Sequence, residues 1–287
     1  MPTPLPSGPA ATSLSELASL PDAQIDVALG AALIAKDVYP SLDCGALLAK
    51  LDEMASPLFS LRLEEKSAAE QARVLGAHLY GTLAFRGNEA DYYDPKNSLL
   101  SDVLERKLGI PITLAIVYCE IARRVGVPAK GVAFPGHFLV RLDRPGRTVE
   151  PPLAIDPFFE GRVLDDEAIE RLLRRALGPE ETLAPMEHLA PASARAVLVR
   201  VLTNLKAIYL TRGDHARAHL ATDRILLFSP NAPAVLRERG ALAARLGAHE
   251  SAKADLQRAL DLDPDGADAR AIRQQLAALS RKSRSLN

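Results

Sequence analysis

Apolar residues recur at helical spacing through most of this chain and give way to strand-like runs only in its middle. Residues 14–56 predict two helices. The first, over 22–36, carries IDVALGAALIAKD, apolar almost all round, so it is expected deep in a core. Tyr39-Pro40 ends it. Asp43 can cap the second, which presents Leu47, Leu48, Leu51 and Met54 on one face. A third helix is expected over 64–84, with Ala68, Ala72, Leu75, Leu79 and Leu83 inward. His78 lies one position off that face and reads as a surface or satisfied histidine. Next, Asn97-Ser98 precedes Leu99, Leu100, Val103, Leu104 and Leu108. One of the pair suits an N-cap, with Asp102 in the first turn where the helix dipole favours an anion. The sharper reading turns Asn97 toward a pocket.

From Gly109 the pattern changes. Pro111 suits a first helical turn, and Leu114, Val117, Tyr118, Ile121 and Val125 follow as an apolar stripe. Arg123-Arg124 and then Gly126 close that helix. Residues 130–134 and 137–142 read as strands, with Pro135-Gly136 forcing a turn that presents His137 at a sheet edge. Residues 143–146 read as a turn, and a third strand ends at Ile155-Asp156. His137 and Asp156 thus end neighbouring strands, where a charge relay, or its remnant, would be built. An Asp–His hydrogen bond would fix the imidazole tautomer. A helix is expected over 165–177, stopped by Gly178-Pro179, and the proline-bearing stretch 178–192 reads as a linker.

Beyond about 195 a 34-residue period appears, aligning Pro230 with Pro264. Under it Leu202 matches Leu236, Ala218 matches Ala252 and Ile225 matches Ala259. Each unit is two helices, broken near Arg212-Gly213-Asp214 and Leu246-Gly247-Ala248. This is the tetratricopeptide signature, and a helix over 267–279 would cap the array. Such arrays bind proteins or peptides, which makes those the expected partners. The division expected is a tail over 1–13, one domain over 14–180, a linker over 181–194, repeats over 195–280 and a tail over 281–287.

Composition narrows the classes. At 287 residues and 48% hydrophobic, the chain can fill two cores. Its net charge of −1 hides an asymmetry. Residues 1–194 hold 19 Lys+Arg against 27 Asp+Glu, and residues 195–287 hold 16 against 9, so the parts carry −8 and +7. Without a recognition helix, Gly-rich loop or interleaved aromatics, the basic part does not read as a nucleic-acid surface. His215 and His219 have metal spacing but lack a third ligand, so neither metal nor cofactor is expected. Two cysteines in a chain this long imply a reducing compartment. The N-terminal MPTPLPSGPAATS lacks the basic start and apolar core of a signal peptide, and no apolar run is long enough for a membrane span. The expectation is a cytoplasmic protein with no membrane role.

Three segments, FRGNEADYYDPKNSLLSDVLERKLGIPITL, FPGHFLVRL and IDPFFEG, resemble the transglutaminase-like superfamily. More narrowly they resemble its bacterial branch named after the first SirB protein, usually followed by tetratricopeptide repeats. The resemblance implies an α+β, papain-like core followed by an all-α repeat domain. It places His137 and Asp156 at the two strand-borne catalytic positions. It also implies a nucleophilic Cys at the start of the preceding helix, activated by the helix dipole and the imidazole. That position falls near Pro111, which has no nucleophilic atom. Cys119 lies eight residues further on, roughly 12 Å along a helix. Thr113 is nearer the helix start, where it suits a cap or a back-bond. The favoured expectation is a non-catalytic interaction or regulatory protein. The alternative is a cysteine-independent hydrolase or acyl-transfer enzyme using His137 and Asp156. Its pocket candidates are Tyr93, Asn97, Ser98, Pro111, Thr113 and Gly136.

Overall fold

The computed structural model describes residues 11–143, 151–178 and 185–284, which divide into two compact units, 1–201 and 202–287. The expected turn at 143–146 lies, beyond Asp143, outside the described residues.

The first unit opens with three α-helices where two were expected: α1 (Leu14–Ser19), α2 (Val27–Lys36) and α3 (Cys44–Ala55). The extra helix exists because Ser13 accepts from the Glu16 N–H, a cap hidden in the polar leader. The α2 run starts at Val27 because Asp26 accepts from the Leu29 N–H at 2.9 Å. Its core-facing residues run from Ala28 to Ala35, as an all-round apolar segment must be buried.

The single helix expected over 64–84 is three pieces. A short 3-10 turn spans Leu63–Glu65, α4 spans Ala68–Gly76, and a π-helical turn spans Ala77–Thr82. Ser67 and Glu70 form a reciprocal capping box that fixes where α4 begins. His78 on the π turn is buried and satisfied, its Nε2 2.7 Å from the Met54 carbonyl.

Neither Asn97 nor Ser98 caps α5 (Leu100–Arg106). Leu99 occupies the N-cap position without a side-chain bond. Both residues instead belong to a 3-10 turn, Pro95–Ser98, capped by Asp94. Strands β1 (Arg86–Gly87) and β2 (Leu108–Gly109) pair in parallel and lead into α6 (Pro111–Arg124).

The sheet has four antiparallel strands in sequence order: β3 (Ala129–Val132), β4 (Leu139–Leu142), β5 (Leu153–Asp156) and β6 (Arg162–Leu164). Val140 faces Ile155, and Asp156 pairs with Arg162. The fourth strand was not foreseen, since Arg162-Val163-Leu164 is short and largely exposed. Strands β3 and β4 pack on α6. A second cluster joins Val132, Phe134 and Leu139 to Leu164, Ile169 and Leu173, the last two on α7 (Asp166–Leu177). Each fully buried Leu or Phe there contributes roughly 1.5–3 kcal/mol.

The stretch read as a linker is packed where it is described. Residues Pro185–Leu189 form a 3-10 turn, Leu189 is 1% exposed, and the Ala192 N–H donates to the Gly131 carbonyl at 2.8 Å.

The division between units falls within α8 (Ala194–Thr211), which is followed by α9 (His215–Phe228), α10 (Pro233–Arg245), α11 (His249–Leu262) and α12 (Ala269–Arg284). The 34-residue period holds at the level of single hydrogen bonds. Asp214 N–H donates to the Tyr209 carbonyl and Ala248 N–H to the Ala243 carbonyl, each at 2.9 Å. Gly213 and Gly247 both turn left-handed, φ +73° and +85°. Leu236, Leu256, Ala259 and Ile272 form the core under α12. Arg239 on α10 bridges its neighbours: it grips Asp255 of α11 at 2.8 and 2.7 Å and Asp223 of α9 at 2.6 Å.

Candidate functional site

His137 is placed by a tight turn. Its N–H donates to the Phe134 carbonyl at 3.0 Å, with Pro135 and Gly136 between them. Gly136 sits at φ +67°, the left-handed third position that a Pro-Gly turn of this kind requires. The imidazole Nε2 lies 3.0 Å from both carboxylate oxygens of Asp156. Asp156 is 1% exposed. Its Oδ1 also accepts from the N–H groups of Phe158 (3.0 Å) and Phe159 (3.3 Å), the intervening Pro157 having none to offer. The carboxylate is therefore fixed by backbone donors before it meets the imidazole, which is how an orienting group is built. Among the described residues, His137 makes no side-chain hydrogen bond except to Asp156.

The other predicted residues scatter around the start of α6. Pro111 occupies its first position and is buried. The Thr113 hydroxyl donates to the Asn97 carbonyl at 2.7 Å and accepts from the Ile110 N–H at 3.1 Å. It serves as cap and tether, with no proton left for a base. Asn97, fully buried, bonds to the Asn88 side chain and the Asp91 and Tyr92 carbonyls, so its amide shapes the 88–92 loop. The Ser98 Oγ is buried without a partner among the described residues. Tyr93 is 68% exposed in an edge-to-face series that runs through Tyr92 and Phe158 to Phe159. Tyr92 and Phe159 are exposed as well, so the pair sits beside an aromatic surface patch.

Tyr118 was expected only as a member of the apolar stripe, and Tyr80 was not singled out. Tyr80, on the π-helical turn, has its phenol pushed far up, first by burial and then by the nearby Tyr118 and Asp156. Tyr118 is fully buried and its hydroxyl has no partner among the described residues. The signal available was a phenol inside an otherwise aliphatic stripe. Glu120 was also missed. It accepts from Arg123 and Arg124 at 2.6 Å each, and Arg124 continues to Asp52. The spacing E-x-x-R-R was the visible signal.

Both thiols are unactivated. Burial pushes Cys119 far up, with Glu120 adding to it. Cys44 opens α3, where the dipole would favour thiolate, yet burial still raises it. Native protein should therefore alkylate slowly with iodoacetamide at pH 7–8, with Cys119 the slower site and both accelerating after unfolding. Site-resolved mass spectrometry checks this; a Cys119 rate like that of an ordinary thiol would contradict it. Among the described residues no group of three or more His, Cys, Asp or Glu side chains is arranged to hold a metal. No helix among them is long and apolar enough to cross a membrane.

A helix packed against an antiparallel sheet, with a His–Asp pair at the sheet's edge, is the arrangement that the resemblance implied. The family description "Transglutaminase-like superfamily" matches residues 45–203, and "Tetratricopeptide repeat" matches 205–277. The chain is 38% identical over 268 residues to a UPF0162 protein of Xylella fastidiosa, covering 93% of this chain and 94% of the relative. A UPF0162 protein of Pseudomonas aeruginosa is 29% identical over 272 residues, 95% of this chain and 96% of that one. Human F-box only protein 21 is 34% identical over 165 residues, 55% of this chain but 25% of its own length. The chain belongs to the transglutaminase-like superfamily and, within it, to the UPF0162 proteins.

Proposed function

We propose that this protein is a catalytically silent transglutaminase-like domain joined to a repeat module that takes up a protein or peptide, acting as an interaction or regulatory protein in the cytoplasm. One observation carries the reading: the start of α6 holds Pro111, and the nearest hydroxyl on that turn, Thr113, is spent on Asn97 and Ile110. Tetratricopeptide repeats generally mediate protein–protein contacts, which supports the second half. Two free thiols suit a reducing compartment. On this reading the His137–Asp156 pair holds the 134–159 segments together.

A second reading, a hydrolase in which His137 activates water, draws on the intact pair and on an imidazole that remains 13% exposed. One experiment separates the two. Purified full-length protein is assayed with a glutamine-donor peptide plus a fluorescent amine, and with chromogenic amides and esters. The expected result is no turnover above buffer, the same as for His137→Ala. Turnover abolished by His137→Ala would establish the hydrolase instead.

A further inference from the structure

A cavity of about 270 Å³ lies within the first unit, behind α6. Its walls are Ala115, Ile116 and Cys119 of α6, the ring of Phe138, and Val197 at the start of α8. Strand β3 closes one side, and there Gly131 leaves space that the Phe138 ring uses: an added Cβ would lie 2.8 Å from it. Nothing in the His137–Asp156 arrangement uses this cavity.

Three charged residues join the apolar lining: Glu120, Arg123 and Lys130. Glu120 is already neutralised by Arg123 and Arg124. Lys130 gives one bond to Asp143. Arg123 gives one N–H to Glu120, and among the described residues its other donors carry no bond. Its side chain is 39% exposed, so those donors stand at the rim and remain solvated rather than stranded. The lining is therefore greasy inside, and its rim carries a guanidinium with unspent donors, although Glu120, Asp26 and Asp52 already share its charge. That combination recognises an anion with an apolar body, since a guanidinium binds carboxylate through its fork while the body stays dry.

Size narrows the class. A cavity of about 150 Å³ holds benzene, so about 270 Å³ accommodates roughly ten non-hydrogen atoms. We propose that this cavity is a binding site for a small amphiphilic carboxylate of that size, its chain against Ala115, Ile116 and Phe138 and its carboxylate on Arg123.

The probe is octanoate, titrated into the full-length chain by calorimetry and by displacement of anilinonaphthalene sulfonate, with octanol as the uncharged control. Saturable one-to-one octanoate binding is expected, at least about tenfold tighter than octanol. Arg123→Met should remove that preference and leave octanol unchanged. Ala194→Phe, which fills the cavity from its half-exposed wall, should abolish both. Circular dichroism and unfolding midpoint confirm that each variant is folded, and octanoate should slow Cys119 alkylation in the parent protein. Absence of saturable octanoate binding overturns the proposal. So does equal affinity for octanol, or an octanoate affinity that Arg123→Met leaves untouched.

Discussion

Asp156→Ala lowers the stability of the first unit by about 3–5 kcal/mol, while Asp156→Asn costs roughly 1–2 kcal/mol. The gap follows from what the side chain holds. Its Oδ1 accepts from the amides of Phe158 and Phe159, and both oxygens face His137. Alanine leaves two N–H groups and an imidazole without their acceptor in a position 1% exposed. Asparagine retains the turn acceptor and forfeits the charge and the second oxygen that faces His137. Urea unfolding of parent, Asp156→Ala, Asp156→Asn and His137→Ala measures this. His137→Ala should fall nearest the asparagine variant, because the partly exposed ring can be replaced by water. Equal losses for Asp156→Ala and Asp156→Asn would mean that the turn amides do not depend on this oxygen.

Much of that arrangement was legible in the sequence. Pro135-Gly136 announced a turn, and a strand-like run ended at Ile155-Asp156, so both side chains were expected at neighbouring strand ends. The repeats were legible from period and punctuation, while the α+β core was implied by the resemblance that the three motif segments carry. What stayed hidden depends on partners far away in sequence. Thr113 looked like a helix-entry cap, and only the folded chain brings it to the carbonyl of Asn97, sixteen residues earlier. Asn97 looked like a cap because the apolar run after it is strong. The Asp94-Pro95 turn overrode that local preference and drew the amide into the 88–92 loop. Strand β6 went unseen because its pairing with β5, and no hydrophobic pattern of its own, makes it a strand. The helix expected over 64–84 changes to π geometry at Ala77, a change that no periodicity count detects.

Arg239→Met should destabilise the repeat unit by about 2–3 kcal/mol. Removing one partner of a buried pair costs roughly 3–5 kcal/mol, and partial exposure of Arg239 and Asp223 discounts it. Asp255, 8% exposed, bears most of the loss, since it keeps a charge and loses a two-pronged donor. The double variant Arg239→Met with Asp255→Leu should recover most of the deficit, because apolar replacement removes the stranded carboxylate. Thermal unfolding with hydrogen exchange at α10 and α11 amides resolves both effects. A double variant no better than the single would mean that the arginine acts through packing of its stem. The repeat did not announce this bridge, since the residue one period earlier is Leu205.

The recurrence of identical turn bonds at Gly213 and Gly247 has a consequence for how this array can change in evolution. Excising or duplicating one period between those glycines rejoins a turn to its own copy, so the chain can be respliced there without inventing a junction. The length of the array is then a discrete variable, altered in whole helix pairs, while the His137–Asp156 domain ahead of it is left untouched.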